Sequence, residues 1–216
     1  MKTGLTELVF ILDRSGSMAG LERDTIGGYN ATLARQRNEP GEAIVTTVLF
    51  DDQYELLHDR IPIKGVEPID DKMYSVRGCT ALLDAIGKTI HKIGNVQKHT
   101  ADSERAEKVC FVITTDGMEN ASREYTYDIV RKMVERQKSQ FGWEFIFLGA
   151  NIDAVATAAR FGIDKSRTAN YVSDPIGTQM NYEAINKAVT MFRNFNDISE
   201  DWKQEVEEDH RKRGGK

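Results

Sequence analysis

Residues 7–18 read Glu-Leu-Val-Phe-Ile-Leu-Asp-Arg-Ser-Gly-Ser-Met. The first six, Glu7 to Leu12, form a short apolar run of the kind a strand shows when both of its faces are buried. Strands buried on both faces belong to parallel sheets covered by helices, because a parallel connection needs a crossover and the crossover is usually a helix. The run ends at Asp13, after which Asp13, Ser15 and Ser17 alternate. Gly16, between the two serines, is expected to permit a tight turn. In open parallel sheets the working site lies beyond the carboxyl ends of the strands. An oxygen-rich loop directly after a buried strand therefore stands where a ligand would be held.

Outward from this stretch the chain alternates between strand-like and helix-like segments. Asp24 to Arg37 reads as a helix with Ile26, Tyr29 and Leu33 on one stripe. Gly27 and Gly28 lie inside it at a cost of about 1 kcal/mol each relative to Ala, so close packing must offset them if the boundary holds. Ala43 to Phe50 is β-branched and strand-like. Asp51, Asp52 and Gln53 read as the turn of a hairpin into Tyr54 to His58, which gives one antiparallel edge strand. Ala81 to Ile93 reads as a helix, Gln97 to Glu107 as a polar loop or helix extension, and Val109 to Thr114 as a second doubly buried strand. Tyr127 to Gln140 is amphipathic, Trp143 to Leu148 is a strand, and Ile152 to Phe161 is a helix closed by Gly162. Thr168 to Val172 reads as a short last strand and Gly177 to Phe195 as a final helix. The expected architecture is a three-layer, Rossmann-like α/β sandwich: a mostly parallel central sheet, one antiparallel edge strand, and helices on both faces. Residues 1–196 form the domain. Residues 197–216 read as a charged tail in which Trp202 and Val206 are the obvious anchors.

Composition narrows the function. Twenty-nine basic against 34 acidic side chains give a net charge of −5, which argues against broad nucleic-acid binding through a basic face. No apolar run approaches the ~18 residues of a membrane span. The N-terminal apolar stretch is too short for a secretory signal, and Cys79 and Cys110 make neither a CxxC pair nor a disulfide framework. A soluble cytoplasmic protein is expected.

Two further segments meet the loop that begins at Asp13. Thr115-Asp116-Gly117 follows the Val109 to Thr114 strand directly, and Gly78-Cys79-Thr80 opens a helix. Asp13 and Asp116 thus fall at the same end of one sheet, within reach of Thr80. The donor set is two carboxylates and three hydroxyls, all oxygen, which suits a hard cation such as Mg²⁺. If either carboxylate acts only through water, the neutral hydroxyls leave the ion electrophilic, and an open position favours a carboxylate from outside.

The order Asp-x-Ser-x-Ser, then Thr80, then Asp116-Gly117 on an alternating β/α chain resembles the von Willebrand factor type A (vWA) domain and its metal-ion-dependent adhesion site. The resemblance covers roughly Glu7 to Phe195, and all five positions, Asp13, Ser15, Ser17, Thr80 and Asp116, match in residue type. It implies Mg²⁺ as the bound ion, with Mn²⁺ or Ca²⁺ as substitutes, and a protein partner that offers Asp or Glu. The chain looks most like bacterial stand-alone domains of the family, including the tellurium-resistance-associated type. Glu119 and Asn120 are candidates to hydrogen-bond the metal's waters, and Arg14 and Met18 to line the ligand face.

Other motifs fail on inspection. Gly87-Lys88-Thr89 ends like a phosphate-binding loop, but that motif needs glycine where Leu82 stands. His58, His91, His99 and His210 have no zinc spacing. Asp13 also resembles the nucleophile of haloacid-dehalogenase-type phosphatases, yet those need a second Asp where Ser15 stands, so no general acid is supplied. The expected function is a metal-dependent binding module and not an enzyme. The alternatives are a scaffold with a structural or vestigial metal site, and a Mg²⁺-dependent phosphohydrolase.

Overall fold

The computed structural model describes residues 1–214. Six strands form one sheet: β1 (Lys2–Asp13), β2 (Glu42–Phe50), β3 (Tyr54–Pro62), β4 (Ala106–Thr115), β5 (Glu144–Gly149) and β6 (Thr168–Asn170). Their spatial order is β3-β2-β1-β4-β5-β6, parallel throughout except for the antiparallel pair of β2 with β3 at one edge. This is the expected three-layer sandwich. The apolar run of β1 divides by the two-residue period of a strand. Leu8, Phe10 and Leu12 face one core, while Val9 and Ile11 face the other. In β4, Cys110 and Val112 separate from Val109, Phe111 and Ile113 in the same way.

On the first face lie α1 (Glu22–Arg37), α5 (Pro175–Phe195) and α6 (Gln204–Asp209); on the second lie α2 (Leu82–His99), α3 (Tyr127–Phe141) and α4 (Ala154–Arg160). Gly28 explains one of the two expected helix penalties. A Cβ there would lie 2.2 Å from Cδ2 of Tyr182, so the bare backbone is what lets α5 seat against α1. Gly27 has open space around it, and no packing offsets its cost. Gly162 closes α4 with a left-handed φ of +78°.

Several boundaries move. The first strand begins at Lys2, with a register irregularity before Thr6. The helix expected to end at Ile93 continues to His99, where buried Gln97 donates to Glu7 Oε2 on β1. The last helix begins at Pro175, two residues earlier than expected, because the Asp174 carboxylate caps it by accepting the N–H of Gly177 at 2.7 Å.

The stretch read as a charged tail is packed onto the domain. Ile198, Trp202 and Val206 are buried in the first core, and the Trp202 indole N–H donates to the Ser166 carbonyl at 2.9 Å. The three anchors, four positions apart, sit in a loop, a 3-10 turn and α6, and no single periodic stripe announces them among the charges. Residues 215 and 216 of that stretch lie outside the described residues. No helix among the described residues is long and apolar enough to cross a membrane.

Candidate metal centre

Asp13 is the last residue of β1, and its carboxylate is held at both oxygens. The Ser15 N–H donates to Oδ1 at 2.7 Å, and the Thr115 hydroxyl, from the end of the neighbouring β4, donates to Oδ2 at 2.5 Å. The first bond is the local turn that an Asp makes with the backbone two residues on. The second exists because β1 and β4 are adjacent and in register, with Leu12 opposite Thr114. The buried Tyr74 hydroxyl holds the Asp13 carbonyl from the far side.

Three hydroxyls collect beside this carboxylate. Ser15 Oγ lies 3.2 Å from Ser17 Oγ and accepts from Thr80 Oγ1 at 3.0 Å. Ser15 and Thr80 are buried, whereas Ser17 is exposed, so the cluster opens to solvent at one end. Gly117 makes the approach possible: a Cβ there would stand 3.0 Å from Ser17 Oγ and 3.2 Å from Thr80 Oγ1. The Asp–Ser loop is also turned differently from the expectation. Gly16 does not adopt a left-handed conformation; its N–H donates to the Gly78 carbonyl at 3.1 Å. The left-handed residue is Gly78 itself, at φ +68°, where a side chain would collide with Asp52.

Asp116 follows β4 directly. Its Oδ2 accepts from the Ser173 hydroxyl at 3.1 Å, while its Oδ1 is buried and has no hydrogen-bond partner. A buried, unpartnered carboxylate oxygen is costly and calls for a ligand. Burial pushes the Asp13 carboxyl up to about 6; hydrogen bonds from Thr115 and Ser15 work against this, and the negative charge of Asp116 adds to it. Burial also raises Asp116, against the Ser173 hydrogen bond and the nearby Ser17 hydroxyl, which is close without forming a well-aligned bond to it. Two desolvated carboxylates among three hydroxyls thus fit a divalent, oxygen-seeking cation, which would offset the charge cost and satisfy the orphaned oxygen. Among the described residues no three or more His, Cys, Asp and Glu side chains gather to hold a metal, so any such site depends on the hydroxyls.

The remaining candidates divide into two pairs. Asn120 Oδ1 accepts the Thr80 N–H at 2.9 Å, and the N–H groups of Asn120 and Ala121 return to the Thr80 carbonyl. Glu119 accepts from the N–H of Leu83 at 2.8 Å at the start of α2, and from the N–H and hydroxyl of Ser122. Both residues therefore brace Thr80 and its helix. Arg14 and Met18, expected to line a ligand face, are buried at 2% and 3% exposure. Arg14 Nε donates to Asp51 Oδ2 at 3.0 Å and Nη1 to Glu55 Oε2 at 2.6 Å. Asp51, read as a turn residue, is fully buried and also takes the Arg77 guanidinium at 2.7 Å. Sequence reasoning missed Thr115, Ser173 and Tyr74, which hold the two carboxylates and the Asp13 backbone. Thr115 carried a signal, being the residue before Asp116, directly after a strand expected in the same sheet as β1.

No protein-family model matches the chain, and no curated protein matches it in sequence. Solved structures do match in shape. A protein described as von Willebrand factor type A from Catenulispora acidiphila superposes with a TM-score of 0.54 at 12% identity, over 86% of this chain and 42% of its own. The fold is that of the von Willebrand factor type A domain. Two further vWA-fold matches come from unrelated sources. Proximal thread matrix protein 1 from the mussel byssus, solved with a zinc-occupied MIDAS motif, gives a TM-score of 0.56 at 15% identity over 86% of this chain. Manganese-loaded TRAP protein from Plasmodium vivax gives 0.56 at 15% identity, over 83% of this chain and 73% of its own. The chain spans 46% of the length of the mussel protein. At these identities the likeness establishes the vWA fold, whose strand ends carry the cluster described above.

Proposed function

We propose that this chain is a metal-dependent protein-binding module. Asp13, Ser15, Ser17, Thr80 and Asp116 would hold one divalent cation, Mg²⁺ in the cell with Mn²⁺ or Ca²⁺ as substitutes, and the partner would supply an Asp or Glu side chain. The observation that carries this reading is the buried, unpartnered Oδ1 of Asp116 beside three converging hydroxyls, one of them open to solvent. A bound dication in such a neutral-rich donor set supplies an electrophilic position for an outside carboxylate. The zinc-occupied MIDAS motif of the mussel protein and the manganese-loaded Plasmodium protein support a divalent ion as the ligand. A role in binding without bond cleavage is supported by Ser15, which stands where a phosphatase of this sheet type would need an acid. Two free cysteines, Cys79 and Cys110, are in keeping with a reducing compartment such as the cytoplasm.

The decisive experiment is a Mn²⁺ titration followed by electron paramagnetic resonance, on the wild type and on Asp13→Ala and Asp116→Ala. One tight site, abolished in both variants, is expected. Failure of the wild type to take up Mn²⁺ removes the metal reading. A partner captured equally well with and without EDTA would support a scaffold instead. Mg²⁺-dependent turnover of phosphomonoesters, lost in Asp13→Asn, would make the chain an enzyme.

A further inference from the structure

We infer that the acidic side chain recognised at the metal centre carries a bulky apolar neighbour, and that Met118 and Ile176 receive it. This rests on the metal-dependent reading above and specifies the chemistry of the partner. Among the described residues seven large hydrophobic side chains are exposed, and two of them stand on the two segments that hold Asp116. Met118 is two residues beyond Asp116 and 73% exposed; Ile176 is three residues beyond Ser173, whose hydroxyl holds Asp116 Oδ2, and is 59% exposed.

Single exposed hydrophobics are ordinary on any protein surface. These two differ because the backbone on each side of them is fixed. Asn120 and Glu119 pin the loop that bears Met118 to Thr80 and to the first turn of α2. Asp174 caps the helix turn that bears Ile176, and Arg213 in turn grips the Asp174 carboxylate. The chain therefore holds two aliphatic side chains out in water on ordered supports, on the two segments that also hold Asp116. Each exposed aliphatic group is held in water at a cost that an apolar contact would remove. Methionine also adapts its shape to different partners.

The occupant is a surface loop of another protein in which Glu or Asp adjoins a residue such as Leu, Ile or Phe. The carboxylate would meet the metal, and its neighbour would cover Met118 and Ile176. A bare carboxylate, or a Glu set among glycines, would leave both uncovered.

The test uses the full chain with its methionine methyl groups carbon-13 labelled, loaded with Mg²⁺, and three capped hexapeptides. One is glycine with a central Glu, one has Leu directly before that Glu, and one has Leu before Gln. The Leu-Glu peptide should bind about five-fold tighter than the Gly-Glu peptide, the partial burial of one leucine, and should shift the Met118 methyl resonance. In the double variant Met118→Ser, Ile176→Ser that advantage should vanish with Mg²⁺ uptake unchanged. Equal binding of the Leu-Glu and Gly-Glu peptides overturns the inference, as does an advantage that survives in the double variant. So does a Mg²⁺-dependent dimer that buries both residues against a second copy. The underlying reading fails separately: no Mg²⁺ uptake before any peptide is added removes the metal, and equal binding of Leu-Glu and Leu-Gln removes the carboxylate. Binding by none of the three overturns the apolar rim together with the carboxylate.

Discussion

Asn120 and Thr80, forty residues apart, are joined like paired strands: Asn120 Oδ1 accepts the Thr80 N–H at 2.9 Å, and the Asn120 N–H donates to the Thr80 carbonyl at 3.0 Å. The side chain of one residue thereby fixes the backbone of the other, and with it the hydroxyl that reaches Ser15.

Asn120→Ala leaves the five proposed ligands in place and removes only this brace. Outer residues that orient ligands typically change metal affinity by ten-fold or more. We expect Mn²⁺ to bind about ten-fold more weakly, with the fold intact by circular dichroism. Unchanged affinity would show that Thr80 is positioned by the strand ends alone.

The two adjacent glycines of α1 should behave oppositely. Gly28→Ala drives a methyl into the Tyr182 ring and is expected to cost about 1–3 kcal/mol, the range for overpacking. Gly27→Ala meets open space and should stabilise by up to about 1 kcal/mol through helix propensity. Urea unfolding of the two variants measures both. Equal effects would place the α1–α5 contact elsewhere.

Trp202 tests whether the C-terminal stretch belongs to the core. Its ring is buried and its N–H is satisfied by Ser166, so Trp202→Ala should cost about 3–5 kcal/mol. A loss below about 0.5 kcal/mol, the range for surface sites, would mean that the stretch rests on the domain without contributing to it.

His58 gives the pH dependence. The ring is buried beside the Thr47 hydroxyl, with Nδ1 to Oγ1 at 3.0 Å, and burial holds its pKa below the ordinary value. The unfolded chain then takes up a proton at a higher pH than the folded one. Stability associated with His58 is therefore present above the unfolded value of about 6.5 and is lost as pH falls through it. The wild type should lose more melting temperature than His58→Gln between about pH 7.5 and about pH 5.5. Parallel losses would acquit the histidine.

The layers of the fold were readable because β1 and β4 are buried on both faces, a pattern that depends on local sequence alone. The convergence of Asp13, Ser15, Ser17, Thr80 and Asp116 was readable for a related reason: residues just after parallel strands share one end of the sheet. Arg14 was misplaced because loop side chains follow no period. Its direction comes from the pairing of β1 with β2, which sets Asp13 opposite Phe50 and so brings Arg14 beside Asp51. Ser173 escaped because it arrives from a remote segment, after β6, with no spacing to announce it. The packed C-terminal stretch escaped because three apolar residues, four apart, are outnumbered by charges.

The segments that build the centre are scattered along the chain, at residues 13–17, at Thr80, at Asp116 and at Ser173. The second carboxylate is therefore made 103 residues after the first, and its hydroxyl support 57 residues after that. No stretch shorter than the 161 residues from 13 to 173 carries the whole constellation, so cation uptake during synthesis would mark the moment at which β1, β4 and the segment after β6 have all emerged and come together.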